Sequence, residues 1–351
     1  MSTFCILGAT GTTGKTIARL LDAESMKLTL AARTLTKLEE LNESLKSSHE
    51  IKTLDIENYP EVLRAVESAS VVINCLGPFT TYGKRVIDAC LEAKVHYLDI
   101  TGEQYFIKSV QEDYQKEAEA ACVAIVPSCA FEFALADAGI ALMGKELGRL
   151  DNVEVTYKFK DITTSRGTNS SVIQALSSPA YLLTNGELEE IKGGLVEGLK
   201  DQKLKSRFAF PGGEVFLSPR HTDVGTIKTF LTSPMNVPLV KIVSRLMPLL
   251  AKSAKNPLLK IAARSNQSID EAAQARTSFF IELFASNSDE EKRLSITGMN
   301  PYRLSAGIAK NIARALLENE NLKGVLSPSM VKDHNLIIDT TKQYGVTWKL
   351  H

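Results

Sequence analysis

Over the first 130 residues, short apolar runs alternate with amphipathic stretches. The runs lie at 3–8, 27–32, 51–54, 70–77, 95–100 and 122–128 and are mostly rich in Val, Ile or Leu. Short, mostly apolar runs of this length suit strands buried on both faces of a parallel sheet. The stretches between them, 12–23, 35–47, 59–68, 80–93 and 104–121, are helix-like. Six strands alternating with helices predict a doubly wound α/β sheet. After Cys129 the rhythm changes. A helix over 133–147 leads into 152–161, whose alternation suits a half-exposed antiparallel strand. Further strands are expected at 225–232, 275–286 and 293–298, and helices near 169–183, 238–263 and 302–318. The pattern predicts a second, α+β mixed-sheet domain, with domains at 1–130 and 131–351 and the C-terminal helices packing back on the first.

Composition narrows the class. At 351 residues, 44% hydrophobic and 23% charged, the chain is long and apolar enough for two globular domains. Lys plus Arg equals Asp plus Glu at 41 each, which argues against a dedicated nucleic-acid binder. The five cysteines are odd in number and lack C-x-x-C spacing, so neither a disulfide framework nor a metal site is expected. With an uncharged start and no long apolar run, the expectation is a reduced, cytoplasmic protein.

Residues 8–14 read Gly-Ala-Thr-Gly-Thr-Thr-Gly between a predicted strand and a predicted helix. In that context Gly8 and Gly11 permit a tight turn and close approach to a pyrophosphate, and Gly14 lets the helix pack on the sheet. Thr10, Thr12 and Thr13 line the same turn. No carboxylate occurs between Glu24 and Glu39, where an NAD site places its ribose-binding acid; Arg33 and Lys37 stand there instead. A guanidinium suits a 2′-phosphate, so the expected cofactor is NADP. Asp55 and Ile56 end the third strand, at the adenine edge or as a helix cap. Cys75, Leu76 and Gly77 end the fourth, near the nicotinamide or as a simple turn.

Tyr97, Asp99, Thr101 and Glu103 form the strongest polar cluster, at the end of the fifth strand where open α/β sheets bind ligands. Tyr97 is a candidate proton donor, and Asp99 or Glu103 could orient a substrate; Thr101 and Glu103 could equally cap the next helix. Ser165, Arg166, Gly167 and Thr168 precede a predicted helix and offer an anion or carbonyl site. His221 is a candidate acid, or a structural histidine. Cys129 reads as core, with a thiol nucleophile as the alternative. None of the nine tyrosines has a lysine four residues on, which excludes short-chain dehydrogenase chemistry, and G-x-S-x-G and H-E-x-x-H are absent.

GATGTTG, LAARTLTKLEEL, the stretch from Val71 to Glu103 and KGVLSPSMV together resemble the saccharopine dehydrogenase-like oxidoreductase family, which includes trans-acting enoyl reductases. The resemblance is dense over 1–137 and returns at 165–168, 298–306 and 324–331. It implies an N-terminal Rossmann domain, a nicotinamide cofactor and a second domain holding the substrate pocket and dimer contacts; Tyr302 falls on a family position there. Where the family commonly has Gly-Phe-Asp, this chain has Ala130-Phe131-Glu132, and Leu135 replaces a proline. The expected function is an NADP(H)-dependent oxidoreductase moving hydride to or from a C=C, C=N or C=O bond of a small-molecule or lipid-like substrate, in a homodimer. The alternative is a non-catalytic dinucleotide sensor acting through a protein partner.

One charge anomaly stands apart. Between Asp223 and Asp270 there is no carboxylate but seven cations, Lys228, Lys241, Arg245, Lys252, Lys255, Lys260 and Arg264, interleaved with Leu, Ile and Val. Residues 234–264 are expected to be mobile and to border the pocket entrance. They would either touch an anionic membrane surface peripherally or cover the pocket or a dimer partner.

Overall fold

The computed structural model describes residues 3–191, 195–199, 203–246, 253, 257, 271–332, 338 and 344–351, with only the backbone at 166, 176 and 271. The chain divides into two compact units. One comprises the chain up to Thr101, Phe106–Ala134 and Tyr302–Lys332; the other comprises Gly102–Tyr105, Leu135–Pro301 and the segment after Lys332.

The first unit is built on β1 (Thr3–Leu7), β2 (Lys27–Ala32), β3 (Glu50–Thr53), β4 (Val71–Asn74), β5 (His96–Asp99) and β6 (Ala124–Val126). Helices α1 (Thr12–Ala23), α2 (Leu35–Glu43), α3 (Tyr59–Val66), α4 (Phe79–Ala93) and α5 (Gln104–Ala121) connect them. All pairings are parallel, in the order β6-β5-β4-β1-β2-β3. The doubly wound sheet expected from the apolar runs is present, and every residue of β1 and β4 is buried. α2 is shorter than the expected 35–47, because the Asp22 carboxylate takes the backbone amides of Lys46 and Ser47 at 2.7 and 3.1 Å. Burial would raise the Asp22 carboxyl, but those amides and His49 outweigh it and hold it below the ordinary range.

The second unit carries a mixed sheet of β7 (Leu150–Lys160), β8 (Tyr181–Thr184), β9 (Glu187–Glu190), β10 (Val196–Gly198), β11 (Ser206–Ala209), β12 (Val224–Ser233), β13 (Ser278–Ser286) and β14 (Glu291–Met299). β7 pairs parallel with β12 and antiparallel with β13. α6 (Phe131–Leu147) meets this sheet at Gly139, where a Cβ would lie 2.9 Å from both Leu283 and Leu294 side chains. The helix expected over 169–183 is α7 (Arg166–Ser177); it stops before Ser178-Pro179, and 181–190 form a hairpin instead. Asn185 and Gly186 both have positive φ (50° and 82°) at its turn. That Asn-Gly dipeptide was the legible signal for the hairpin.

Further helices among the described residues are α8 (Glu214–Leu217), α9 (237–246), α10 (Glu271–Arg276), α11 (Pro301–Glu318) and α12 (Pro328–Val331). α10 occupies part of the strand expected at 275–286. The helix expected over 238–263 is described as α9; residues 247–252, 254–256 and 258–263 lie outside the described residues, so the expectation of mobility there is not addressed. α11 belongs to the first unit, and so does β15 (Gly324–Val325), which adds a seventh parallel strand beside β6. β16 (Thr347–Leu350) closes the second sheet against β14.

Candidate functional site

The strand order reverses between β1 and β4, so a crevice opens at the carboxyl ends of these strands. The glycine turn fills its floor. Gly8 has φ +79° and donates its amide to Ala31 O at 2.8 Å, which holds the turn against the end of β2. Gly14 has no room for a side chain: a Cβ would lie 2.3 Å from Gly8 O. α1 therefore starts at the turn, with Gly11 as its cap and no side chain bonded to its first amides. A cradle that only glycine can form, ending in helix amides, fits a pyrophosphate. Gly14→Ala should push α1 off the turn at about 1–3 kcal/mol. Its check is a lower melting temperature with weaker NADPH binding; an unchanged variant would refute the close packing.

Around the cradle, Thr10 and Thr12 are partly exposed and Thr13 is buried. Arg33 directly follows β2, and both Arg33 and Lys37 are exposed. Arg33→Asp should therefore cut NADPH affinity roughly ten- to a hundred-fold, the worth of a charge-assisted bidentate contact, and leave NADH affinity nearly unchanged. Titration calorimetry with both dinucleotides measures this; equal losses for the two would remove Arg33 from the 2′-phosphate. Asp55 is exposed and its carboxylate accepts the Glu57 amide at 3.0 Å, while Asn58 takes the cap position of α3. Its cap reading thus gives way to a local turn. Ile56 is nearly buried and its carbonyl accepts from Arg85. At the end of β4, Leu76 donates its amide to the Asn74 side chain at 3.0 Å, and Gly77 precedes Pro78, the cap of α4. Burial pushes the Cys75 thiol up to about 12, with the Asp99 charge adding to it.

The polar cluster beyond β5 is a buried network. Asn74 Nδ2 donates to Tyr97 Oη at 3.2 Å, and Tyr97 Oη donates to Asp99 Oδ2 at 2.8 Å. Asp99 Oδ1 accepts the amides of Thr101 and Ser128, each at 2.9 Å. Tyr97 and Asp99 are both fully buried, and burial followed by the Asp99 charge lifts the Tyr97 phenol well above its ordinary value. The network ties together the carboxyl ends of β4, β5 and β6. Glu103 and Gln104 fall in the second unit. Glu103 accepts Ser171 Oγ at 2.7 Å, and Gln104 clasps the backbone of Tyr181 and Gly212.

One residue escaped the sequence reading. Glu132, in the first turn of α6 just past β6, is partly buried, and desolvation raises its carboxyl from 4.5 to about 7 against its own backbone hydrogen bond. The only sequence signal was its place in the Ala130-Phe131-Glu132 departure. Next to it, Phe131 donates its amide to Ser305 on α11, and Tyr302 is partly buried in the first turn of that helix.

The other candidates are committed locally. In the second unit Ser165 caps α7, accepting the Thr168 amide at 3.0 Å and meeting its hydroxyl at 2.9 Å. Gly167 is exposed, and the Arg166 side chain lies outside the described residues. His221 pairs through Nε2 with the buried Asp137 at 2.8 Å and through Nδ1 with Thr222 at 2.8 Å. Burial would lower its pKa, but Asp137 raises it. Cys129 is buried, its thiol directed at Val126 O. Among the described residues no group of His, Cys, Asp and Glu could hold a metal ion.

Comparison with known proteins meets this geometry. Residues 4–126 match the family described as the saccharopine dehydrogenase NADP binding domain. A Caenorhabditis elegans protein named lipid droplet localized protein is 29% identical over 191 residues, covering 50% of this chain and 45% of that one. A Mycobacterium tuberculosis protein named as a trans-acting enoyl reductase is 29% identical over 184 residues, covering 49% and 44%. The chain thus spans less than half the length of these relatives. The solved structure of saccharopine dehydrogenase (L-Glu forming) from Saccharomyces cerevisiae superposes on 100% of this chain and 99% of that one, with TM-score 0.65 at 13% identity, which shows a shared fold. A glycine cradle shaped for a pyrophosphate, an arginine in place of the ribose-binding acid and the match over 4–126 agree: the N-terminal part of this chain is similar to the saccharopine dehydrogenase NADP binding domain.

Proposed function

We propose that the chain is an NADP(H)-dependent oxidoreductase that reduces or oxidises a C=C, C=N or C=O bond of a small-molecule or lipid-like substrate. Bound NADP(H) supplies the hydride chemistry. The residues of this chain do the rest. The Gly8–Gly14 turn and the amides of α1 bind the pyrophosphate, and Arg33 holds the 2′-phosphate. The Asn74–Tyr97–Asp99 network fixes the strand ends that border the nicotinamide half. Tyr97 donates to Asp99, so it serves position rather than proton transfer.

The observation that carries the reading is Glu132. Desolvation raises the Glu132 carboxyl from 4.5 to about 7, which brings it into the range where a carboxyl can give or take a proton as hydride moves. A passive dinucleotide sensor has no use for such a group at the carboxyl edge of its sheet. His221 and Glu103 sit in the second unit with partners of their own, and we assign them structural roles there. The names of the relatives support a lipid-like substrate and, among bond types, a C=C bond. A homodimer, as the resemblance implies, is part of the proposal.

The test supplies nicotinamide-deuterated NADPH with a panel of α,β-unsaturated thioesters, imines and long-chain aldehydes. Deuterium appearing in one product class supports the reading and names the bond. NADPH binding without transfer to any class would return the chain to the sensor alternative.

A further inference from the structure

Within the carboxylate-free stretch, α9 turns an apolar side to solvent. Val240 packs inward at 2% exposure, while Leu239, Ile242 and Leu246 are 50%, 57% and 50% exposed. Met235, just before the helix, is 37% exposed. Leu239, Ile242 and Leu246 stand at i, i+3 and i+7, and so form one ridge about 60° wide on the helix. Lys241 and Arg245 are exposed and flank that ridge on one side.

We propose that this ridge docks on an anionic phospholipid surface, with Leu239, Ile242 and Leu246 entering the headgroup boundary and Lys241 and Arg245 meeting lipid phosphates. The arrangement of an apolar ridge with cations at its flank is that of an interfacial helix. Charge chooses the occupant. A two-fold contact with a second copy through α9 would bring Lys241 and Arg245 near their own counterparts, and the sequence from Asp223 to Asp270 offers no carboxylate to answer them. An anionic surface answers both. Among the described residues no helix is long and apolar enough to cross a membrane, so the contact proposed is peripheral. This proposal is independent of the reaction proposed above, because it reads a different face and a different measurement.

The experiment floats the full chain with phosphatidylcholine vesicles, with and without phosphatidylserine, at low and high salt. Binding should need phosphatidylserine and low salt. Each cation near such a surface contributes about five-fold in affinity, so Lys241→Gln with Arg245→Gln should weaken binding roughly twenty-five-fold. Leu239→Ser with Ile242→Ser should weaken it by about ten-fold or more, while melting temperature and NADPH affinity stay at the parent values. No flotation at low salt overturns the proposal, as does flotation that neither double variant changes. Concentration-dependent dimers that Leu239→Ser with Ile242→Ser dissolves, without vesicle binding, would give the ridge to a second copy and overturn it as well.

Discussion

Glu132→Gln is expected to lower turnover by about a hundred-fold or more while leaving NADPH affinity within a few-fold of the parent. The amide keeps the size and polarity of the side chain but removes its proton, and a positioned general acid or base contributes about 10²–10⁴-fold. The pH profile is the sharper readout. The raised carboxyl is protonated below about 7 and ionised above it. Reduction of substrate, which consumes a proton, should therefore slow as pH rises through about 7, and oxidation should quicken over the same range. In Glu132→Gln that limb should vanish in both directions. A variant that keeps the limb would move the proton to another group. Stability has its own sign. A carboxyl raised in the folded chain favours folding below its ordinary 4.5, and that contribution is lost as pH rises to about 7. Thermal melts of the parent should therefore lose stability over this window relative to Glu132→Gln.

Asp99→Ala should be the most destabilising single change in the first unit. The carboxylate receives Tyr97 Oη and the amides of Thr101 and Ser128, with no exposed surface of its own. Removing it orphans three buried donors at about 1–3 kcal/mol each, so a loss of about 3–5 kcal/mol is expected after relaxation. For units of this size that lowers the melting temperature by roughly 10 °C. Asp99→Asn retains an acceptor for the two amides and faces Tyr97 with an amide group, so it should lose only about 1 kcal/mol. If Asp99 also touched substrate, the Asn variant would fold well and still turn over poorly. Melting curves and rates on both variants separate these roles, and an Ala variant as stable as the parent would show that the network contributes nothing.

The residues that were legible in the sequence share a property: each is dictated by its near neighbours. Val71–Ile73 is apolar throughout because both faces of a central parallel strand are covered, and Gly14 is glycine because a helix must start against Gly8 O. Arg33 could be placed from its distance along the chain alone, since the end of β2 follows the glycine turn in every sheet of this kind. The helix expected to reach residue 183 went wrong for an equally local reason. The helix was carried past Ser178-Pro179 to residue 183, just short of an Asn-Gly turn that already announced a hairpin.

Other features depend on residues far apart in sequence. Tyr97 and Asp99 read as candidate chemistry from their position, but only the approach of Ser128, 29 residues on, makes Asp99 a buried junction of strand ends. Glu132 was visible only as part of the Ala130-Phe131-Glu132 departure; the raising of its carboxyl comes from desolvation, which the chain around it imposes. His221 is paired by Asp137 from a helix 84 residues earlier. Apolar spacing marked Leu239, Ile242 and Leu246 as one face of a helix, and could not say whether that face looks inward. By itself the sequence determined the parallel sheet, its glycine cradle and the place of Arg33 directly after β2, because periodicity and backbone sterics act over a few residues. The tertiary structure alone decided which polar groups are desolvated and which apolar faces stay uncovered, because burial is set by segments that meet only when the chain folds.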